Sequence, residues 1–193
     1  MNVPQAFRRV VTALRQNGKS YVAADAPVAL DTTAHSTRFV RAWVTGPGVG
    51  RDDSAETNDS VPVPLQPLPL GTKSGFLILY PEATPKSFEE LEREQAELYA
   101  ELGASDCRIP GSRHPAMHVT QTIDYIFVVS GTLTMLLDET EVELQPFDVV
   151  VQRGTNHAWI NRGTTPAVLS YVMVDLASTQ TNEGVQPRRR RWL

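Results

Sequence analysis

From residue 115 to residue 176 the chain is divided into short apolar runs by turn residues. The runs are IDYIFVVSG, TLTMLLD, EVEL, DVVVQ, HAWIN and AVLSYVMVDL. The breaks fall at Ser130-Gly131, Asp138-Glu139, Pro146-Phe147, Arg153-Gly154 and Arg162-Gly163. Each run is rich in β-branched and aromatic residues, which suit a pleated, half-buried surface. Many short strands at regular spacing predict a closed or two-sheet β fold, a barrel or jelly roll.

The upstream half adds further elements. RRVVTAL and KSYVAAD flank Asn17-Gly18, a two-residue hairpin signal. TRFVRAWVT (37–45) and KSGFLILYP (73–81) read as strands. Between them, residues 46–71 are rich in Gly, Pro, acidic and hydroxyl residues without periodicity, which predicts a long surface loop. One helix is expected over residues 87–102. Ser87 with Glu90 forms a capping box, and Gly103 supplies the stop. Its apolar stripe of Phe88, Leu91, Leu98 and Leu102 is expected to pack on the outside of the sheet or on a partner subunit, with no catalytic role. The organisation is therefore one domain over 1–178 and a disordered basic tail over 179–193, with four arginines at 188–191.

Composition narrows the function. A net charge of −4 argues against nucleic acid as the main partner, because phosphate binding wants a basic face. No apolar run reaches the roughly 20 residues that span a bilayer. The first residues lack the apolar segment of a secretory signal, which makes cytoplasmic the expected location. The single cysteine, Cys107, excludes an internal disulfide framework and a cysteine-rich zinc site, and reads as a structural thiol.

The residues that carry chemistry lie at the edges of these strands. If the strand of Asp124 extends back to His118, then His118, Thr120, Thr122 and Asp124 share one face, continued by Ile126 and Val128. His157, Trp159 and Asn161 share a face of HAWIN. A barrel that sets these strands side by side gathers two imidazoles and a carboxylate at its mouth. That donor set serves non-haem iron, and equally zinc, manganese or nickel. Without a metal, a shielded carboxylate beside a histidine can shuttle protons. His118, Asp124 and His157 are thus the candidate catalytic residues, and the ligands if a divalent metal is bound. Thr120, Thr122, Trp159, Gln152 and Tyr125 are the candidate substrate-binding residues, although Tyr125 has the opposite parity to Asp124. No organic cofactor is indicated.

Two stretches resemble the motifs of the cupin superfamily. In the first, Gly111, His118, Asp124 and Gly131 fit; in the second, FDVVVQRGTNHAWIN, Asp148, Gly154, His157 and Asn161 fit. The chain departs from the family pattern at four positions. Thr120 stands where metal cupins have a second histidine, and Asp124 where they have glutamate, while Phe147 and Gln152 depart in the second motif. His114 is the other imidazole nearby, its direction left open by Pro115. The pattern is similar to that of small single-domain cupins of bacteria and fungi, whose fungal members occur among secondary-metabolite enzymes. The resemblance implies a double-stranded β-helix, or jelly-roll barrel, and a homodimer.

The expected function is small-molecule enzymology in the barrel. Lyase or isomerase chemistry is favoured: decarboxylation, dehydration or a related proton transfer on a carbonyl- or carboxyl-bearing, polyketide-like molecule. An iron-dependent oxygenase and a non-catalytic ligand-binding module are the alternatives.

Overall fold

The computed structural model describes residue 3 and residues 6–29, 37–45, 72–81 and 86–176. The expected loop at 46–71 and the basic tail at 179–193 lie outside the described residues.

Among the described residues, ten strands and one α-helix follow in order. Strands β1 (Ala6–Leu14) and β2 (Ser20–Ala29) form a hairpin, followed by β3 (Thr37–Thr45) and β4 (Thr72–Leu79). Helix α1 (Phe88–Glu101) and a turn of 3-10 helix at Ser105–Cys107 precede the second half. There lie β5 (Thr122–Ser130), β6 (Leu133–Leu137), β7 (Glu141–Leu144), β8 (Val149–Gln152), β9 (His157–Ile160) and β10 (Ala167–Asp175). A five-stranded antiparallel sheet runs in the order β3-β4-β10-β5-β8, and a three-stranded sheet in the order β7-β6-β9. The two sheets share one apolar core: Leu77, Ile126, Val128 and Leu169 come from the larger, and Leu133, Met135 and Leu144 from the smaller. The result is a mainly β jelly-roll barrel, as the run of short strands implies.

Alternation along β5 shows how the pattern works. Thr122, Asp124, Ile126 and Val128 are buried, whereas Tyr125, Phe127 and Val129 are exposed. A strand has a side-chain period of two, so one face enters the core. Each fully buried aliphatic side chain there contributes roughly 1.5–3 kcal/mol relative to exposure.

The hairpin departs from expectation in its loop. Arg15 N–H donates to Lys19 O (2.9 Å) and Gly18 N–H to Arg15 O (2.8 Å). The loop is thus three residues, Gln16 to Gly18, with Gly18 in the left-handed region at φ 75°. The hairpin lays Phe7 on Phe76 of β4, ring centroids 4.4 Å apart, over a cluster of Val40, Ile78 and Val168. It therefore covers the outer face of the larger sheet.

Two local devices hold the barrel. Gly75 lies so close to β3 that a Cβ would sit 2.0 Å from Val40 O and 2.9 Å from the Tyr171 hydroxyl. Asn161, at the end of β9, donates from Nδ2 to Leu79 O and Thr165 O, both at 2.8 Å, and its Oδ1 accepts from Gly163 N–H at 2.9 Å. Asn161 thus has a structural role, tying the end of β9 to the end of β4 and to the turn before β10.

Helix α1 has the expected capping box: Glu90 N–H donates to the Ser87 hydroxyl, and Ser87 N–H to the Glu90 carboxylate. Its packing corrects the sequence reading. Phe88 is exposed, while Leu98, Tyr99 and Leu102 are buried against Ala104, Cys107 and Phe39. The helix closes over the end of the barrel.

Candidate functional site

The strand of Asp124 does not extend back to His118. β5 begins at Thr122, and His118 forms an isolated antiparallel bridge with His157. His118 N–H donates to His157 O (2.9 Å) and His157 N–H to His118 O (3.0 Å). The chain thus crosses from the smaller sheet to the larger over residues 119–121. Gly154 permits the crossing, since a Cβ there would lie 2.9 Å from Thr120 O. The two imidazoles meet because they are backbone partners, with ring centroids 4.4 Å apart. Asp124 belongs to the other sheet, in register with Met173 of β10 and Gln152 of β8.

Both imidazoles are anchored in the same way. His118 Nδ1 lies 3.0 Å from Ala116 O, and His157 Nδ1 lies 2.9 Å from Thr155 O. A carbonyl can only accept, so Nδ1 carries the hydrogen and Nε2 the lone pair. Burial lowers the pKa of both rings. His157 falls to about 3, first from desolvation and then from the neighbouring His118, while His118 falls through desolvation. Both are neutral near pH 7.

Asp124 is shifted the other way. Only 4% exposed, it has its pKa raised to about 6 by desolvation. A hydrogen bond from Thr122 and the positive charge of Lys73 pull it back only in part. Its Oδ1 is buried with no hydrogen-bond partner, an expensive condition for a carboxylate. The buried Lys73 is engaged with Asp175, Nζ to Oδ1 3.1 Å.

These groups face one cavity of about 90 Å³. His118, His157, Asp124, Thr120 and Trp159 line it, together with aliphatic residues of the larger sheet, Gln95, Leu98 and Tyr99 of α1, and Leu102 just beyond the helix. The other expected substrate-binding residues do not line it. Tyr125 points outward and is exposed, as its parity requires. Thr122 is fully buried behind the wall, with its hydroxyl hydrogen-bonded to that of Thr120 at 2.7 Å. Gln152 is buried, and its Oε1 accepts from Thr155. His114 is half-buried outside the cavity, with Nδ1 accepting from Ala116 N–H at 3.1 Å.

Sequence reasoning missed Tyr99, Gln95 and Tyr171 as lining residues. For Tyr99 a signal existed: it extends the stripe of Leu91, Leu98 and Leu102, but the sequence does not say what that stripe meets. Burial pushes the Tyr171 hydroxyl up to about 12, so it stays protonated. Cys107 also lines the cavity, and burial raises its thiol, consistent with an unreactive group.

The fit to a metal can be tested on these donors. Each imidazole gives its Nδ1 hydrogen to a backbone carbonyl and keeps its lone pair on Nε2, as metal-binding histidines do. A facial triad also needs the carboxylate, and among the described residues no three His, Cys, Asp or Glu side chains converge to hold an ion. The expected set His118, Asp124 and His157 therefore shares a cavity without forming a three-ligand centre.

Two facing antiparallel sheets, enclosing a cavity flanked by an imidazole pair, define a β-barrel with an interior site. Residues 107–175 match the family model described as Cupin_2, cupin domain. The chain is 36% identical over 77 residues to the cupin-domain-containing oxidoreductase fogC of Aspergillus ruber, a stretch covering 38% of this chain and 37% of that protein. It is 50% identical over 50 residues to phomopsin biosynthesis cluster protein C′ of Diaporthe leptostromiformis, covering 25% of this chain and 26% of that one. These matches thus span between about a quarter and somewhat over a third of the relatives' length. Among solved structures, the Schizosaccharomyces pombe Cnp3 cupin domain is similar at a TM-score of 0.46 and 12% identity, over 87% of each chain. Among the described residues no helix is long and apolar enough to cross a membrane.

Proposed function

We propose that the cavity catalyses proton transfer on a small carbonyl compound, chemistry of the lyase or isomerase class, with Asp124 as the proton carrier. The observation that carries this reading is the buried, unpartnered Oδ1 of Asp124 on the wall of a mostly apolar cavity. Magnitudes assign the roles. With Asp124 near 6 and His157 near 3, the usual order of basicity is inverted, and the carboxylate takes the proton first. A base poised near neutrality suits general acid–base catalysis. The neutral imidazoles serve as acceptors through Nε2, holding a ligand hydroxyl on the face opposite Asp124. The apolar walls and α1 exclude water, which strengthens each of these interactions. A biosynthetic setting is supported by the names of the relatives in Diaporthe.

The test is deuterium uptake from D2O into a panel of enolisable ketones, followed by NMR. The protein should accelerate exchange on at least one ketone, and Asp124→Asn should lose about 100-fold or more of that acceleration. A second reading is an oxidoreductase, the activity in the names of the relatives in Aspergillus ruber and Neurospora crassa, here working with a bound metal. It requires a third ligand beside the imidazole pair. Exchange untouched by Asp124→Asn, with stoichiometric metal bound by the purified protein and activity lost on chelation, would favour that reading instead.

A further inference from the structure

Four aromatic rings form a continuous band along the cavity. Tyr99 stands over His118 with centroids 5.3 Å apart, His118 over His157 at 4.4 Å, and His157 meets Trp159 edge-on at 5.4 Å. All four residues line the cavity. The band is carried by α1 and the smaller sheet, and the larger sheet supplies Asp124. Successive rings are inclined by 53°, 44° and 76°, so the band offers faces and edges by turns, and a flat unsaturated ligand meets them in the offset and edge-on arrangements that π systems favour.

Charge selects further. The described residues that line the cavity include no lysine or arginine. Lys73, the buried ammonium on the row of Met173 and Asp124, is held by Asp175. An anionic ligand would therefore enter a low-dielectric space already holding a carboxylate, with no counter-ion among those lining residues. Like charges in such a space repel strongly.

We infer that the ligand of this cavity is an uncharged, planar, unsaturated carbonyl or hydroxy compound, lying on the Tyr99–His118–His157–Trp159 band with one oxygen toward Asp124. The inference rests on the cavity being the reaction site and narrows the substrate class proposed above. It sets aside the carboxyl-bearing molecules that the sequence left open. Tyr99 and Trp159 become determinants of specificity, and Asp124 acquires the second role of rejecting anions.

Three probes of similar size separate the contributions: benzamide (planar, neutral), benzoate (planar, anionic) and cyclohexanecarboxamide (neutral, not planar). Binding to the full chain at pH 8 would be measured by calorimetry, with the indole signal of Trp159 reporting the location. Benzamide should bind at least 100-fold tighter than benzoate and several-fold tighter than cyclohexanecarboxamide. Asp124→Asn should shrink the benzamide-to-benzoate ratio below 10-fold. Benzoate binding as well as benzamide overturns the inference, as does a ratio unchanged in Asp124→Asn or failure of benzamide to bind at Trp159. The deuterium-exchange test is independent of these probes. If exchange depends on Asp124 while benzoate binds well, only the ligand class falls; if the probe ratios hold and exchange is absent, only the proton-transfer reading falls.

Discussion

His118 and His157 exchange both of their backbone hydrogen bonds, at 2.9 and 3.0 Å, and so bring their imidazoles to 4.4 Å between centroids, inclined by 44°. The side-chain pair is set by strand register, not by a shared ligand. The register also commits both rings to the neutral state, since a charged ring beside its neighbour in a dry cavity is unfavourable.

This commitment has a pH signature. His157 has a folded pKa near 3, below the usual 6.5, so the folded state binds fewer protons than the unfolded. Its stability contribution is full above about pH 6.5 and is lost as pH falls toward 3, by about 5 kcal/mol in total. Asp124, raised to about 6, acts oppositely: it costs about 3 kcal/mol above pH 6, relieved as pH falls from 6 to 4. The two slopes offset each other between pH 4 and 6, and below pH 4 the histidine loss stands alone, with His118 adding to it. Urea midpoints from pH 3 to 8 should show little change from this pair down to pH 4 and then a steep fall. His157→Gln should flatten that fall, and Asp124→Asn should raise stability at pH 8 by about 2 kcal/mol.

Asn161→Ala should be costly although the residue lies outside the cavity. The substitution removes three hydrogen bonds and leaves Leu79 O and Thr165 O without that donor. A loss of about 2–4 kcal/mol is expected in denaturant unfolding. Asn161→Asp should not restore it, because a carboxylate cannot donate to two carbonyls.

Gly75→Ala should be among the most damaging changes in the chain. The new methyl would sit 2.0 Å from Val40 O, so β3 and β4 must separate to accept it. A loss of about 3 kcal/mol or more is expected, visible as a lower Tm or as failure to accumulate folded protein. Wild-type stability in this variant would show that β3 moves freely.

Ser87→Ala tests the helix as part of the site. Loss of the cap should cost about 1 kcal/mol of stability. Because Gln95, Leu98 and Tyr99 of that helix line the cavity, benzamide affinity should fall as well. A stability loss with unchanged binding would mean that the helix holds its place without its first turn.

Much of the barrel was legible in the chain, and the reason is local. Strands from IDYIFVVSG to AVLSYVMVDL announce themselves by period and by turn residues at their ends, and alternation along β5 correctly separates Asp124 from Tyr125. What stayed hidden depends on where separate segments meet. Parity placed His118 on the strand of Asp124, because nothing local marks the crossing at residues 119–121; the pairing that carries His118 to the other sheet spans 39 positions. The stripe of α1 was visible, but its destination over the cavity was not. Gln152, expected to bind substrate, stands in register with Asp124, yet its side chain turns to Thr155.

The acid sits on one wall and the imidazole pair on the other, with no bond drawn between them. Their separation is therefore governed by how thick the core is, a property shared among Val128, Leu133, Leu144 and Leu169. Trimming a methyl group in that remote filling would act like loosening the screw of a vice: every chemical group would survive, and the jaws would no longer grip the same molecule.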